Sequence, residues 1–213
     1  MKYDYELVRK NRSGISISIS DKNKITVKCP LSVSQKKIDE VLEEKSAWIE
    51  KVILKNSILH NEHGDILNYR KVYVNGTKTP FFNCSDRNVL TDYAVHVKSK
   101  RSLKSLFCDM FSADFLETIN VISNYLSLIP QSVTIKDYVS RWGCCDINNN
   151  LVFNYKVFML PTDLREYVIV HELCHIKHHN HSTDFWGLLG SILPDYKKRQ
   201  KRLRDFDFIT RLY

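Results

Sequence analysis

The stretch "EYVIVHELCHIKHHNHSTDFW", Glu166 to Trp186, governs how the rest of the chain is read. It opens with "EYVIV", apolar nearly all round, which marks a helix buried on most sides. It then carries five of the chain's eight histidines within eleven positions. His171 and His175 stand four apart, so a helix brings both imidazoles to one face, one turn from each other. A buried helix does not carry His-Glu-His without partners, because uncompensated polar burial costs free energy. His171-Glu172-x-x-His175 fits H-E-x-x-H, the arrangement in which two neutral imidazoles share a divalent ion. Glu172 is rotated by about 100° from His171. That sets it beside the ion, where a carboxylate can take a proton from an activated water.

A catalytic zinc typically keeps three protein ligands and one open position, whereas a structural site closes with four and has no use for the Glu. The third ligand expected from spacing is His181, ten residues after His171, the interval also found in metzincins. The metzincin glycine falls here on His178, so the turn must be made differently. Asn180 tolerates a left-handed backbone and is expected to end the helix just before His181. His178 is the rival, since an unbroken helix sets it on the face of His171 and His175. Otherwise His178 and His179 lie at the helix end, where imidazolium favours the negative dipole end. Cys174 reads as a packing residue. The expected cofactor is one Zn2+ ion, with Ni2+ or another divalent transition metal as a substitute that imidazole also accepts.

Working outward, "QSVTIKDYVSRWG" and "NNNLVFNYKVFMLP" read as two strands joined by a polar turn, "CCDINNN". Pro161 stops the second, and Thr162 or Asp163 is expected to cap the motif helix. Ser182 or Thr183 caps "DFWGLLGSIL", and Pro194 opens the last helix. A long amphipathic helix, "SLKSLFCDMFSADFLETINVISNYLSLI", comes before the strands and ends near Pro130. At the N-terminus, "SGISISIS" and "ITVKCP" alternate around a turn at "DKNK", a β-hairpin pattern. A helix capped by Ser34 follows, its apolar positions running from Ile38, Val41 and Leu42 to Trp48, Ile49, Val52 and Ile53. Residues 62–100, with Gly64, Gly76, "KVYVNG" and "YAVHVK", read as short strands. The fold class is α+β. A β-rich N-terminal lobe with one helix spans 1–98. The half that carries the histidines spans 99–213, and the two are expected to form one continuous unit.

The 213 residues suffice for one sizeable core, or a core plus a small appendage. No apolar run approaches the ~18 residues of a membrane span, and "MKYDYELVRKNR" lacks the apolar region of a signal peptide. Six cysteines without a C-x-x-C pair suit a reducing compartment, so the chain is expected to be cytoplasmic with no membrane partner. Formal charge is +8. In "PDYKKRQKRLR", Pro194 to Arg204, six basic residues face one Asp. This reads as a solvated helix face, or more sharply as contact with a nucleotide or nucleic acid.

"SRWGCC", "NLVFNYKVFMLP", "REYVIVHELCHIKHHNHSTDFW" and "LPDYKKRQKRL" together resemble the YgjP-like metallopeptidase-domain family, related to the SprT-like and WLM zinc peptidases. The N-terminal "VKCP" and the helix with "WI" also fit, so the resemblance runs over most of the chain. It implies a zincin-like catalytic half: long helix, short antiparallel strands, active-site helix and C-terminal helices. It implies a metal site of His171, His175 and His181 with Glu172 as general base, and a role near it for Ser140, Arg141, Trp142 and Gly143. Cys144 stands where the family usually has Ser, and "NYK", Asn154 to Lys156, where it usually has Asn-Trp-Arg.

The expected function is a zinc-dependent metallohydrolase, a metallopeptidase acting on a peptide or protein. Two other readings stay open: a phosphoanhydride or nucleotide hydrolase, which a cationic clamp suits, and a nucleic-acid-associated peptidase. Arg141 is the candidate for holding substrate or a developing oxyanion, with a structural ion pair as the alternative. Trp142, Phe185 and Trp186 read as packing residues, the last two bracing His181.

Overall fold

Alternating Ile and Ser in "SGISISIS" leaves one face of a strand apolar, and that face needs a partner. In the computed structural model, which describes residues 3–20, 22–84 and 86–212, the partner is the next strand. β1 (Tyr5–Arg9), β2 (Ser16–Ile19) and β3 (Ile25–Cys29) form a sheet of order β1-β3-β2. β2 and β3 pair antiparallel, with Ile17 opposite Val27 and Ile19 opposite Ile25, as the alternation predicts. The expected turn at "DKNK" includes Asp21, outside the described residues; Asn23 in it takes a left-handed φ of 61°. β1 runs parallel to β3 and has no clear signature in "YELVR".

The following segment is two helices, not one: α1 (Gln35–Glu44) and α2 (Ser46–Leu67). Ser34 caps α1 as expected, accepting from the Lys37 N–H at 3.3 Å. Ile38, Leu42 and Ile49 pack on Ile25, Val27 and Cys29. Trp48 stays exposed. α2 runs through Gly64 to Leu67, where strands were expected.

The chain divides into two compact units between Leu67 and Asn68. The expected boundary at 98/99 therefore falls inside the second unit. There β4 (Lys71–Val74), β5 (Thr77–Asn83), β6 (Val89–Leu90) and β7 (Val95–Val97) make a sheet of order β4-β5-β7-β6. The β4–β5 turn, Asn75-Gly76, has positive φ at both residues and donates its two backbone N–H groups to the carbonyls of Phe158 and Met159. A Cβ on Gly76 would stand 2.7 Å from Pro161 Cγ, so glycine lets this turn dock at the start of the motif helix. That docking draws these strands into the second unit.

α3 (Lys100–Leu126) is the expected long helix, closed by Ser127 in the left-handed conformation (φ 55°). Phe115 on α3 packs edge-on against Phe153 and Phe158 (5.2 and 5.4 Å). β8 (Ser132–Lys136), β9 (Gly143–Cys145) and β10 (Asn150–Asn154) form a sheet of order β8-β10-β9. Here the sequence expectation needs correcting. Cys144 and Cys145 lie in a strand, not a turn, and β8 is parallel to β10. The residues form two crossings because Asp146 caps the "INN" turn, accepting from Asn148 and Asn150 N–H at 2.8 and 2.9 Å.

A 3-10 helix (Tyr155–Met159) leads to α4 (Thr162–Lys177), α5 (Thr183–Ile192), α6 (Tyr196–Leu203) and a 3-10 segment, Arg204–Arg211. Ser182 caps α5 as expected. Neither Thr162 nor Asp163 caps α4: its N-cap is Pro161, and the Asp163 carboxylate pairs with Arg202 instead. Among the described residues, no helix is long and apolar enough to cross a membrane.

Lys156 is fully buried. Its ammonium pairs with Asp137 at 2.9 Å and donates to the carbonyls of Tyr138 (3.2 Å) and Thr210 (2.8 Å), tying the C-terminal segment to the loop before β9. Lys156→Met keeps the side-chain volume but strands the Thr210 carbonyl. Urea denaturation should show a loss of about 2 kcal/mol; unchanged stability would mean that the tie contributes nothing.

Candidate active site

α4 is buried over most of its circumference, as "EYVIV" predicts: Leu164, Tyr167, Val168, Ile169, Val170, Leu173 and Cys174 are in the core. The helix therefore presents its polar residues at one place. His171 and His175 project there with ring centroids 5.0 Å apart. α4 ends at Lys177 because His178 turns to extended backbone (φ −134°). This corrects the expected left-handed turn at Asn180, whose side chain instead accepts from the Ser182 N–H at 3.2 Å. The chain reverses, and His181 returns toward α4.

His181 Nε2 faces His171 Nε2 at 3.1 Å. One ring nitrogen from each of His171, His175 and His181 lies within 4.8 Å of the other two. Nitrogens bound to one zinc at ~2.0–2.1 Å sit about 3.3 Å apart, so one pair already has that separation and the third nitrogen lies close. His175 Nδ1 donates to the His178 carbonyl at 2.9 Å, which leaves its Nε2 with a free lone pair. His178 thus enters through its backbone, and its ring is outside the cluster.

Phe185 and Trp186, at the start of α5, bracket the imidazoles. Phe185 stacks on His175 (4.5 Å) and meets His181 edge-on (4.8 Å), while Trp186 stacks on His181 (5.4 Å). Burial, with smaller contributions from His175 and His181, holds His171 down to about 3, and burial also lowers His175. Both rings are neutral at neutral pH, the form that binds metal. Nearby thiols offer no thiolate there, because burial pushes Cys145 up to about 11 and Cys174 to about 12. The donor set is three imidazoles, which suits a divalent transition metal.

Glu172 is buried, with 6% of its surface exposed, and accepts no hydrogen bond from any described residue. Burial pushes its carboxyl up to about 8, against a lowering from Arg141. Its neighbour is Gly143 on β9, where an added Cβ would stand 2.8 Å from Glu172 Cγ and 2.9 Å from Oε1. Glycine is what admits the carboxylate. Sequence reading placed Gly143 near the site by resemblance and missed this contact, although a Gly opening a strand is a signal of close backbone approach.

Arg141 lies on the loop before β9, exposed, its guanidinium 5.5 Å from the Tyr138 ring centroid. Among the described residues it makes no ion pair, so the structural-pair alternative finds no partner there. The loop is held by Asn154, whose side-chain NH2 donates to the carbonyls of Tyr138 (2.8 Å) and Arg141 (2.9 Å). Trp142 is buried, and its indole N–H donates to Asp207 at 3.0 Å. A cavity of about 200 Å3 opens beside His171 and Glu172, lined also by Trp142, Tyr167, Gln200 and Arg204. Sequence reading had not connected those last two residues with the site.

Comparison with known proteins follows the same residues. The solved structures include one similar chain, the metallopeptidase zymogen of Pyrococcus abyssi abylysin. It is 22% identical with a TM-score of 0.37, over 43% of this chain and 90% of that one. Comparison with curated proteins gives no match. The profile of the YgjP-like metallopeptidase domain matches residues 13–206. That span takes in most of both compact units, the glycine against Glu172 and all three converging histidines, and so this chain belongs to the YgjP-like metallopeptidase-domain family.

Proposed function

We propose that the chain is a zinc-dependent metallopeptidase, with His171, His175 and His181 as metal ligands and Glu172 as general base. The observation that carries this reading is the buried Glu172 carboxylate, admitted by Gly143 and sharing a cavity with His171, one of three converging imidazoles. When bound, the ion supplies Lewis acidity toward a carbonyl and lowers the pKa of a water toward ~7.

The chain supplies the rest. Glu172 takes the proton of the attacking water and passes it to the leaving amine. Burial raises its proton affinity, while Arg141 and any cation beside it lower it, so the carboxylate works in both directions. Arg141, free of a carboxylate partner among the described residues, faces substrate or a developing oxyanion. Among the described residues β9 is an edge strand, paired with β10 alone. The Trp142–Asn154 and Asp146–Asn150 backbone bonds set the ladder, so Gly143 and Cys145 turn their N–H and C=O groups away from β10. An extended peptide pairs naturally with such an edge, which favours a peptide over a nucleotide as substrate.

Glu172→Gln should retain the metal and lose peptide turnover by at least ~100-fold; full activity in that variant, or wild-type activity on nucleotides alone, would overturn the reading. His181→Ala should weaken metal binding by more than the ~10–100-fold cost of losing an outer partner, as read by competition with a chelator. Unchanged metal affinity would point to His178. The metal-free protein has its own pH signature. His171 is lowered in the fold, so its contribution to stability is lost as pH falls from 6.5 toward 3. Glu172 is raised, so its contribution is lost as pH rises from 4.5 through 8. Below 6.5 the Glu172 slope is opposed by those of His171 and His175, so the decline that Glu172 alone causes stands clear between 6.5 and 8. Glu172→Gln should abolish the alkaline decline between 6.5 and 8, and an unchanged decline would contradict the assignment.

A further inference from the structure

We propose that the groove along α6 selects substrates with acidic residues close to the cleaved bond. This rests on the peptidase reading and adds the substrate's charge class. Helix periodicity divides the basic run of α6 into two faces. Arg199 and Arg202 turn inward: Arg199 binds Glu166, Asp195 and the Asp163 carbonyl, and Arg202 binds the Asp163 carboxylate. Lys197, Lys201 and Arg204, at i, i+4 and i+7, share the other face. Among the described residues, none of these three is drawn into an ion pair. Asp207, the nearby acid in the cavity, accepts from the Trp142 indole.

This second face leads to the site. The cavity that holds His171 and Glu172 is bounded by Gln200 and Arg204. The same two residues bound a wider groove of about 470 Å3, lined also by Lys197, Lys201, Tyr196 and Trp186. The two hollows thus adjoin at Gln200 and Arg204, and the wider one is bordered by three cations that make no ion pair among the described residues. Seven helical residues span about 10 Å, the length of about three residues of extended peptide. A nucleic acid is less well served. Trp186 is already stacked on His181 and on Tyr196 (5.6 Å), and Lys197 lies over Tyr196 at 5.9 Å, so these rings are taken and offer bases a poor platform. Carboxylates spaced along an extended chain match the three cations directly.

The test uses the full-length metal-loaded protein and three degenerate quenched-peptide libraries, enriched in acidic, neutral or basic residues around a common centre. The acidic library should be cleaved with kcat/KM about tenfold above the neutral one at low salt, and the advantage should shrink as salt rises. Lys201→Glu combined with Arg204→Glu should turn the preference toward the basic library, with metal content and thermal midpoint retained. If that double variant folds poorly, Lys201→Gln alone should reduce the acidic advantage. In a separate binding measurement, fluorescence anisotropy on the Glu172→Gln protein should give tighter binding of a labelled acidic peptide than of its neutral counterpart. Equal cleavage of all libraries, or a preference that ignores the variants, overturns the selectivity and leaves the peptidase reading standing. Cleavage of no peptide overturns both. Tighter binding of a labelled single-stranded oligonucleotide than of the acidic peptide, through the same lysines, overturns the proposal in favour of a nucleic-acid surface.

Discussion

Burying the Glu172 carboxylate against β9 is costly, because a charged group loses its water there and no described residue donates a hydrogen bond to it. The contact exists because residue 143 has no side chain; any Cβ would occupy the space of the Glu172 stem. The strand and the motif helix thereby approach closely, with the carboxylate on the cavity that His171 also lines. A cation at the imidazoles would restore by Coulomb attraction what desolvation removes. An arrangement unfavourable by itself would thus be stabilised by a bound cation, and strained local chemistry of this kind gathers at functional positions.

The rest of the second unit keeps that approach. Asn154 and Lys156 bind the carbonyls of the loop that carries Arg141, from within the core. The Trp142 indole joins the same loop to the C-terminal segment through Asp207. On the other side of the site, Phe185 and Trp186 press on all three imidazoles, and Ser182 fixes the start of their helix. The Asn75-Gly76 turn docks at Pro161, just ahead of the motif helix. The "NYK" run, a departure from the usual Asn-Trp-Arg, keeps a cation at its third position: Lys156 is buried and bonded to Asp137 and two carbonyls.

Much of the site was legible because helical spacing is a strong constraint. The four-residue step from His171 to His175 leaves little freedom, and a polar turn returning to His181 is readable from "HNHS" with its Ser182 cap. The α+β class, the Ile/Ser hairpin and the long third helix followed from periodicity in the same way. What escaped reading was nonlocal. "YELVR" has no pattern that announces a parallel partner, and Cys144-Cys145 looks like turn chemistry until Val152 and Leu151 are opposite it. The unit boundary moved to Leu67–Asn68 because a two-residue turn docks on a distant proline, a contact that no local window contains. The basic run of α6 had been read as one face; its division into an inward pair and an outward row depends on Asp163 and Glu166, thirty-odd residues away.

The central claim is that three imidazoles hold one ion next to Glu172. X-ray absorption at the metal edge of the loaded protein measures this without reference to any substrate. The account predicts a nitrogen/oxygen shell at ~2.0–2.1 Å with the multiple-scattering signature of three imidazoles. A sulfur shell at ~2.3 Å, or a signature of two imidazoles or fewer, would contradict it.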